Sequence, residues 1–434
     1  MRVKLAFLAG VAICLSGAAL AQVPGERQAP PQAVQGWTPT APQVSETSGK
    51  TVPDPWHPYE PVTPGIAAGA FRLYPSVTAG TFYDDNVFAS SANRQGSWGG
   101  LVRPELGLTT AGPNYAMEAR GYVERRWYSR FSGEDQTNGG LALATTVMPD
   151  PNTQLVGKFA YTRAHEARGG GESLITAFDR PVGYDTIEAS GALNKRYGRL
   201  WSSLGVAGSW TNYDTPTVGG VPVSQSYRDG NVGVLSGRIG YVVAPLTSVF
   251  VELAGNRRDF QVDIFDSTGY RVVGGMLFEP GQGARMKGEA YAGYMFQNYT
   301  GVNFNTVSTF TYGGSLAFLL APRWTGVVEG RRNALESNLN GGVSLIESLV
   351  AGRLDYALLP NFIVGAGASY LVDEFQGAGR TDHSLSPLVS VKYLVNPNLT
   401  LGFDYRNIGF DSNGIAGAPS YTRNLYLFSL NARI

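Results

Sequence analysis

Tyr421-Thr422-Arg423-Asn424-Leu425-Tyr426-Leu427-Phe428-Ser429-Leu430-Asn431-Ala432-Arg433-Ile434 runs to the last residue of the sequence and decides how the rest is read. Successive side chains of an extended strand point to opposite sides. Tyr426, Phe428, Leu430, Ala432 and Ile434 therefore share one face, while Leu425, Leu427, Ser429, Asn431 and Arg433 share the other. The first face suits hydrocarbon. A sheet can cross hydrocarbon only when it closes on itself and leaves no backbone edge unpaired. The stretch reads as the closing strand of a transmembrane antiparallel β-barrel, presented outward-apolar to lipid and to a barrel-insertion machinery, with Ile434 where most such strands end in an aromatic residue.

The same period of two recurs upstream. Met117, Ala119 and Val123 oppose Glu118, Arg120, Glu124 and Arg126, and Val249, Val251 and Leu253 oppose Glu252, Asn256 and Arg258. Met286, Ala290, Ala292, Tyr294 and Phe296 oppose Lys287, Glu289 and Gln297, and Leu399, Leu401, Phe403 and Tyr405 oppose Asp404 and Arg406. Charges keep to one side of each strand. A soluble sandwich also alternates, so the turns carry the distinction.

Tight turn chemistry recurs at Gly112-Pro113-Asn114, Pro149–Asn152, Tyr197-Gly198-Arg199, Ala244-Pro245-Leu246, Glu279-Pro280-Gly281, Ala321-Pro322-Arg323, Leu359-Pro360-Asn361 and Asn396-Pro397-Asn398. These lie about 36 to 50 residues apart, the span of two strands and one longer loop. Longer Gly/Asp/Asn/Ser-rich stretches alternate with them: 167–183, 215–226, 260–269 and 410–420. Short turns on one side and long loops on the other are the asymmetry of an outer-membrane barrel. The count predicts about eighteen strands over residues 71–434, a size at which the interior is expected to hold an aqueous channel.

Composition narrows the alternatives. Lys plus Arg and Asp plus Glu both number 34, so no net field draws nucleic acid. After the N-terminus no apolar run approaches the roughly 20 residues of a membrane helix. Residues 1–21 carry Arg2 and Lys4, an apolar stretch Leu5–Leu15 and an Ala19-Leu20-Ala21 cleavage pattern, and read as a cleaved signal peptide. The single cysteine, Cys14, leaves with it, so neither disulfide nor Cys-bound metal is expected in the mature chain. Residues 22–70 are rich in proline and poor in β-branched runs, and are expected to be a disordered periplasmic segment. Aromatic residues at strand ends (Trp98, Trp127, Tyr128, Trp201, Trp210, Tyr241, Trp324, Tyr356, Tyr393, Tyr405 and Tyr426) fit interfacial girdles.

The opening strand ends in Gly80-Thr81-Phe82-Tyr83-Asp84-Asp85-Asn86-Val87-Phe88. This phrase, after a Pro-rich leader, resembles the first strand of the putative beta-barrel porin 2 family. The resemblance implies an outer-membrane barrel in a Gram-negative bacterium, and several relatives serve as the porin through which an extracellular polysaccharide leaves the cell beside an export protein. Asp84 and Asp85 could hold a cation, but a solvated Asx turn is the preferred reading of the pair.

The residues assigned to the inner, pore-lining face are Arg103, Glu105, Glu118, Arg120, Glu124, Arg126, Lys158, Glu188, Arg238, Glu252, Lys287, Glu289, Glu329, Arg331, Arg353, Asp355, Lys392, Asp404 and Arg406. Both signs mix, which predicts a stiffening ladder of pairs as readily as a selectivity filter. No cofactor, metal site or catalytic residue is expected. The one enzyme candidate, His383-Ser384 beside Asp382, is discounted because neighbouring strand residues face opposite ways. The expected function is a pore for export of a polysaccharide, working with periplasmic or outer-membrane export partners. The alternatives are a general or solute-specific diffusion porin and a non-conducting surface anchor.

Overall fold

The computed structural model describes residues 63–169, 178–279, 284–301, 306–337, 343–413 and 420–434. The signal-peptide reading and residues 22–62 of the Pro-rich segment fall outside these. From the described end of that segment, β1 (Ile66–Ala68) folds back on the first long strand, Ile66 facing Leu73.

Eighteen long antiparallel strands form one closed ring. They are β2 (Phe71–Asp84), β3 (Ser97–Ala111), β4 (Tyr115–Tyr128), β5 (Gln136–Asp150), β6 (Thr153–His165), β7 (Gly183–Tyr197) and β8 (Leu200–Tyr213), then β11 (Gly230–Ala244) and β12 (Thr247–Phe260). After them come β13 (Ser267–Phe278), β14 (Met286–Tyr299), β15 (Val307–Ala321), β16 (Trp324–Ser337), β17 (Val343–Leu359), β18 (Phe362–Phe375), β19 (Arg380–Asn396), β20 (Leu399–Asn413) and β21 (Tyr421–Arg433). The short hairpin β9 (Thr217–Val218) and β10 (Val221–Pro222) sits in the loop between β8 and β11. Of the eight predicted tight turns, seven lie among the described residues, Pro280 and Gly281 of the eighth falling outside them, and each of the seven joins two long strands at one end of the barrel. Their chemistry is local: the Asn152 and Asn398 amides donate to the side chains of Asp150 and Asn396 at 2.8 Å, holding the reversal without help from the sheet.

The outer face is greasy. Ile239, Val251, Leu253 and Val206 are 64, 60, 60 and 57% exposed, and comparable residues surround the wall. Each such side chain gains about 1.5–3 kcal/mol when removed from water, which a lipid environment supplies. Trp98, Trp127 and Trp210 face outward towards the loop end, and Tyr241, Trp324, Tyr356 and Tyr393 towards the turn end, with Trp324 and Tyr356 stacked at 4.4 Å, whereas the paired Tyr405 and Tyr426 lie near the middle of β20 and β21. Two girdles result. Tyr128 and Trp201 depart from that expectation: their places in the alternation of β4 and β8 turn both rings inward.

Closure occurs between the first long strand and the last, Ser76–Asp84 lying antiparallel to Leu425–Arg433. The motif residues Tyr83 to Phe88 form the clasp of this seam. Asp84 points inward, is fully buried, and accepts from the Arg423 Nε at 3.0 Å in a bidentate pair, with Tyr128 donating to the same carboxylate at 3.4 Å. Asp85 accepts from the backbone and side-chain amides of Asn424, both at 2.6 Å. The Asn86 amide donates to Asp84 at 3.0 Å, so the Asx turn is present, and its side chain bridges Ser90 and the Thr422 carbonyl. The expected solvation is wrong: Asp84 and Asn86 have no exposed surface, and the charge that meets Asp84 is a guanidinium of this chain. Val87 is buried, Phe88 meets Phe131 edge-on at 4.9 Å, and the Tyr83 ring lies 5.2 Å from Trp98 on the outer side.

Inside the seam lies an apolar cluster of Phe82, Val87, Leu101, Tyr128, Ile408, Phe410, Tyr421, Leu425 and Leu427. The inner face of β21 is therefore dry in its loop-side half, where the sequence reading opposed it to lipid as the watery side.

Two segments turn into the barrel at the loop end. The β15–β16 ladder stops at Gly313 opposite Arg331, although β16 and β17 stay paired up to Ser337 and Val343. Beyond that row, inward-facing Arg258 of β12 donates to the Ala334 carbonyl at 2.9 Å and pairs with Glu336 at 2.6 Å, and Tyr299 of β14 donates to the Leu335 carbonyl at 3.1 Å. On the wall, β12 and β16 are four strand steps apart, roughly 19 Å. One arginine cannot span that, so the upper part of β16–β17 has left the wall and packs across the lumen. Phe265, Met295, Tyr299, Val307, Ala334 and Ile346 form the apolar joint. The β6–β7 loop crosses similarly: Arg168 pairs with Glu134 at 2.6 Å, Glu166 pairs with Arg228, and the Gly169 carbonyl accepts from Tyr421, five strand steps from β6. At the turn end, Glu279 reaches Arg196 of β7 at 2.6 Å.

Two outcomes are expected. Asp84→Ala leaves the Arg423 guanidinium buried and unpaired, costing about 3–5 kcal/mol; heat-modifiable migration in gels should convert to the unfolded form at a lower temperature than wild type, and Asp84→Asn should fall between. Arg258→Ala removes the cation that pairs with Glu336 and the donor to the Ala334 carbonyl and so loosens the inner hairpin, so channels in planar bilayers should conduct more and flicker more; conductance identical to wild type would show that the hairpin does not narrow the path.

Candidate functional site: the inner wall

A barrel interior has only side chains to fill it, and the alternation of each strand decides which. Every charged residue assigned to the inner face from the sequence falls on the inward set of its strand. The register then gathers them into three clusters rather than one ring.

On β3 and β4, Arg120 pairs with Glu105 at 2.7 Å and Arg126 with Glu124 at 2.5 Å, while Arg103 lies between the two acids at 3.3 and 3.8 Å. The Arg103 guanidinium also covers the Tyr122 ring at 3.9 Å. Glu118 adds its charge to the field at Arg120.

The second cluster spans β11 to β14. Glu252, with no exposed surface, accepts from Arg271 at 2.5 Å and from Arg238, and Arg238 also reaches Glu289 at 2.8 Å. Arg271 is itself fully buried and meets the Tyr291 hydroxyl at 3.3 Å. Lys287 sits one inward position below Glu289. Arg271 was missed by the sequence reading because its inward neighbours on β13 are Val273 and Gly275, which leave no alternating polar pattern to announce it.

The third cluster covers β16 to β20. Arg331 pairs with Glu347 at 2.9 Å, with Glu329 one inward position below it, and Arg353 pairs with Asp355 at 2.7 Å while donating to Ser390 at 2.7 Å. Asp404 stands in the field of Lys392, Arg353 and Arg406. Glu347, Asp373 and Asp382 lie opposite one another on β17, β18 and β19, with Arg380 on Asp382 at 2.7 Å, and none of these four was assigned from the sequence. Lys158 and Glu188 face inward from β6 and β7, away from the three clusters.

The clusters share a design: acids and arginines satisfy each other along the wall, and no single-sign ring forms among the described residues. A strongly charge-selective pore would concentrate one sign at its constriction. Removing one partner of such a sheltered pair costs far more than the pair contributes, so the clusters also fix the register of the strands that carry them.

The His383 candidate does not assemble. His383 lies outward against the Tyr370 ring, its Nδ1 2.9 Å from the phenol oxygen, while Asp382 and Ser384 face inward. Among the described residues no three His, Cys, Asp or Glu side chains are arranged to hold a metal ion.

Solved structures with a similar outline include Pseudomonas aeruginosa OpdO (13% identity, 83% of this chain and 97% of that chain, TM-score 0.43). Acinetobacter baumannii OccAB4 (11%, 83% and 98%, 0.42) and the siderophore receptor PirA from P. aeruginosa (10%, 84% and 80%, 0.40) also match. Likenesses at this level carry nothing about cargo. No curated protein matches the chain. The family described as "Putative beta-barrel porin 2" matches residues 57–434, beginning just ahead of β1 and running through the seam clasp to the last strand. The chain belongs to that family of outer-membrane β-barrel porins.

Proposed function

We propose that the barrel is a pore through which an extracellular polysaccharide leaves the cell. The observation that carries the reading is the inner wall itself: dense in hydrogen-bonding groups, yet with its charges matched in pairs along β3–β4, β11–β14 and β16–β20. A hydrated sugar chain needs hydroxyl partners at every step and no strong field. Pairing supports this because it leaves lone pairs and N–H groups to exchange hydrogen bonds while no one position holds the chain tightly.

In this reading residues 1–21 direct export across the inner membrane and are removed, the barrel-insertion machinery reads β21, and residues 22–62 with the turn end face a periplasmic or outer-membrane export partner. A diffusion porin for small solutes is the second reading, and the inward-folded β16–β17 hairpin favours it to the extent that it narrows the path.

Two measurements separate them. Deleting the gene should abolish surface polymer in a polysaccharide stain and restoring it should bring the polymer back; polymer levels untouched by the deletion would remove export. Liposome swelling with small sugars should be slow relative to an open diffusion porin; swelling as fast as such a porin would favour uptake.

A further inference from the structure

One inward row of the sheet runs Trp201, Gly240, Phe250, Gly275, Tyr291, Gly313, residue opposite residue, from β8 to β15. Every second strand contributes an aromatic ring and every intervening one a glycine. A Cβ on Gly240 would stand 2.2 Å from the Trp201 ring, one on Gly275 2.5 Å from the Phe250 ring, and one on Gly313 2.3 Å from the Tyr291 hydroxyl. Each ring is therefore laid over the bare backbone of its neighbour instead of projecting across the lumen. Aromatic cover of a strand glycine is a known packing device, but three such pairs in one row produce something packing alone does not require: a continuous path.

The path climbs. Strands in such barrels tilt about 35–45° from the axis, so a row perpendicular to them rises through the wall. Trp201 is the second residue of β8 from the turn end, Phe250 the fourth of β12, and Tyr291 the sixth of β14. The strands that carry the rings are two steps apart, roughly 9.6 Å, and the Trp201 and Phe250 rings lean together to a centroid distance of 6.2 Å. Beside them run the ion pairs of the second cluster. The Arg238 guanidinium covers Phe250 at 4.7 Å, leaving that ring 4% exposed, and Arg271 lies 4.9 Å over Tyr291. Trp201 and Tyr291 remain half-buried.

We propose that this row is a sugar-binding track, taking the chain at Trp201 near the turn end and passing it by way of the Arg238 plane to Tyr291. A pyranose ring is amphipathic: its C–H face packs on an aromatic face, and its hydroxyls need charged or polar partners at the rim, which the partly exposed Arg238 and Glu289 offer alongside, held in place by the buried Glu252 and Arg271 behind them. The proposal rests on the polysaccharide reading above but can fail without it.

The test uses the whole protein in planar bilayers with maltohexaose as the probe. Wild-type channels should show sugar-dependent current blocks. Trp201→Ala and Tyr291→Ala should each shorten the block by roughly threefold to tenfold, the scale of one lost aromatic contact, while Trp201→Phe and Tyr291→Phe keep most of it. Heat-modifiable migration identifies any variant that has not folded, and the phenylalanine variants then carry the comparison: they should retain the block, and a block lost in the folded Phe variants overturns the stacking role. Wild-type channels that show no block, or Ala variants that bind as long as wild type, overturn the track. In cells, polymer secretion that needs the gene but proceeds at the wild-type rate in the double Ala variant sinks the track and spares the export reading; secretion independent of the gene sinks the export reading itself.

Discussion

Hydrocarbon offers a peptide group nothing to bond with, and this one prohibition shapes the molecule. It forces every strand to have two neighbours, brings β2 against β21, and makes the seam the place where closure succeeds or fails. The motif from Tyr83 to Phe88 serves that place: Asp84 neutralises Arg423 inside, Asp85 and Asn86 bind the backbone of β21, and Val87 enters the apolar cluster behind them. Where β16 parts from β15 the departing hairpin is received at once by Arg258 of β12, Tyr299 of β14 and an apolar joint beside them. Polar backbone never simply ends in the barrel interior there; it is handed to another partner.

The interior solves a second problem. A lumen this wide cannot be filled by one core, and it cannot be lined by isolated charges without a desolvation cost at each. Arginines paired with acids at short range along the wall meet both demands. They also leave the lumen without a dominant sign, as a wall does when its charges serve one another before they serve a cargo.

Much of this architecture was legible in the sequence. The seven tight turns among the described residues were, because their proline, asparagine and glycine chemistry is local and needs no partner strand, as Asp150–Asn152 and Asn396–Asn398 illustrate. The inward charges were, because alternation is a property of each strand alone. What was not legible depends on who sits opposite. Arg271 hides among valine and glycine; Trp201 resembles a girdle residue until its place in β8 is known; Asp84 looks solvated until a residue 339 positions away arrives. The inward turn of the β16–β17 hairpin left no local trace either, since its determinants, Arg258 and Tyr299, belong to other strands. The cargo is further still from the sequence, because a sugar leaves no counter-charge or ligand spacing to read.

The seam also fixes an order of events. The pairing of β2 with β21 joins the two most distant parts of the barrel, so the first strand must wait, edge bare, until all the others exist. Contacts of such long sequence separation form late and slowly, and an exposed edge invites pairing with foreign chains in the meantime. Assembly is therefore a race between self-recognition and aggregation, and the aspartate that waits on β2 for its arginine acts as a proofreader: a sheet one strand short, or slipped by a residue, brings no guanidinium to it and stays unlatched.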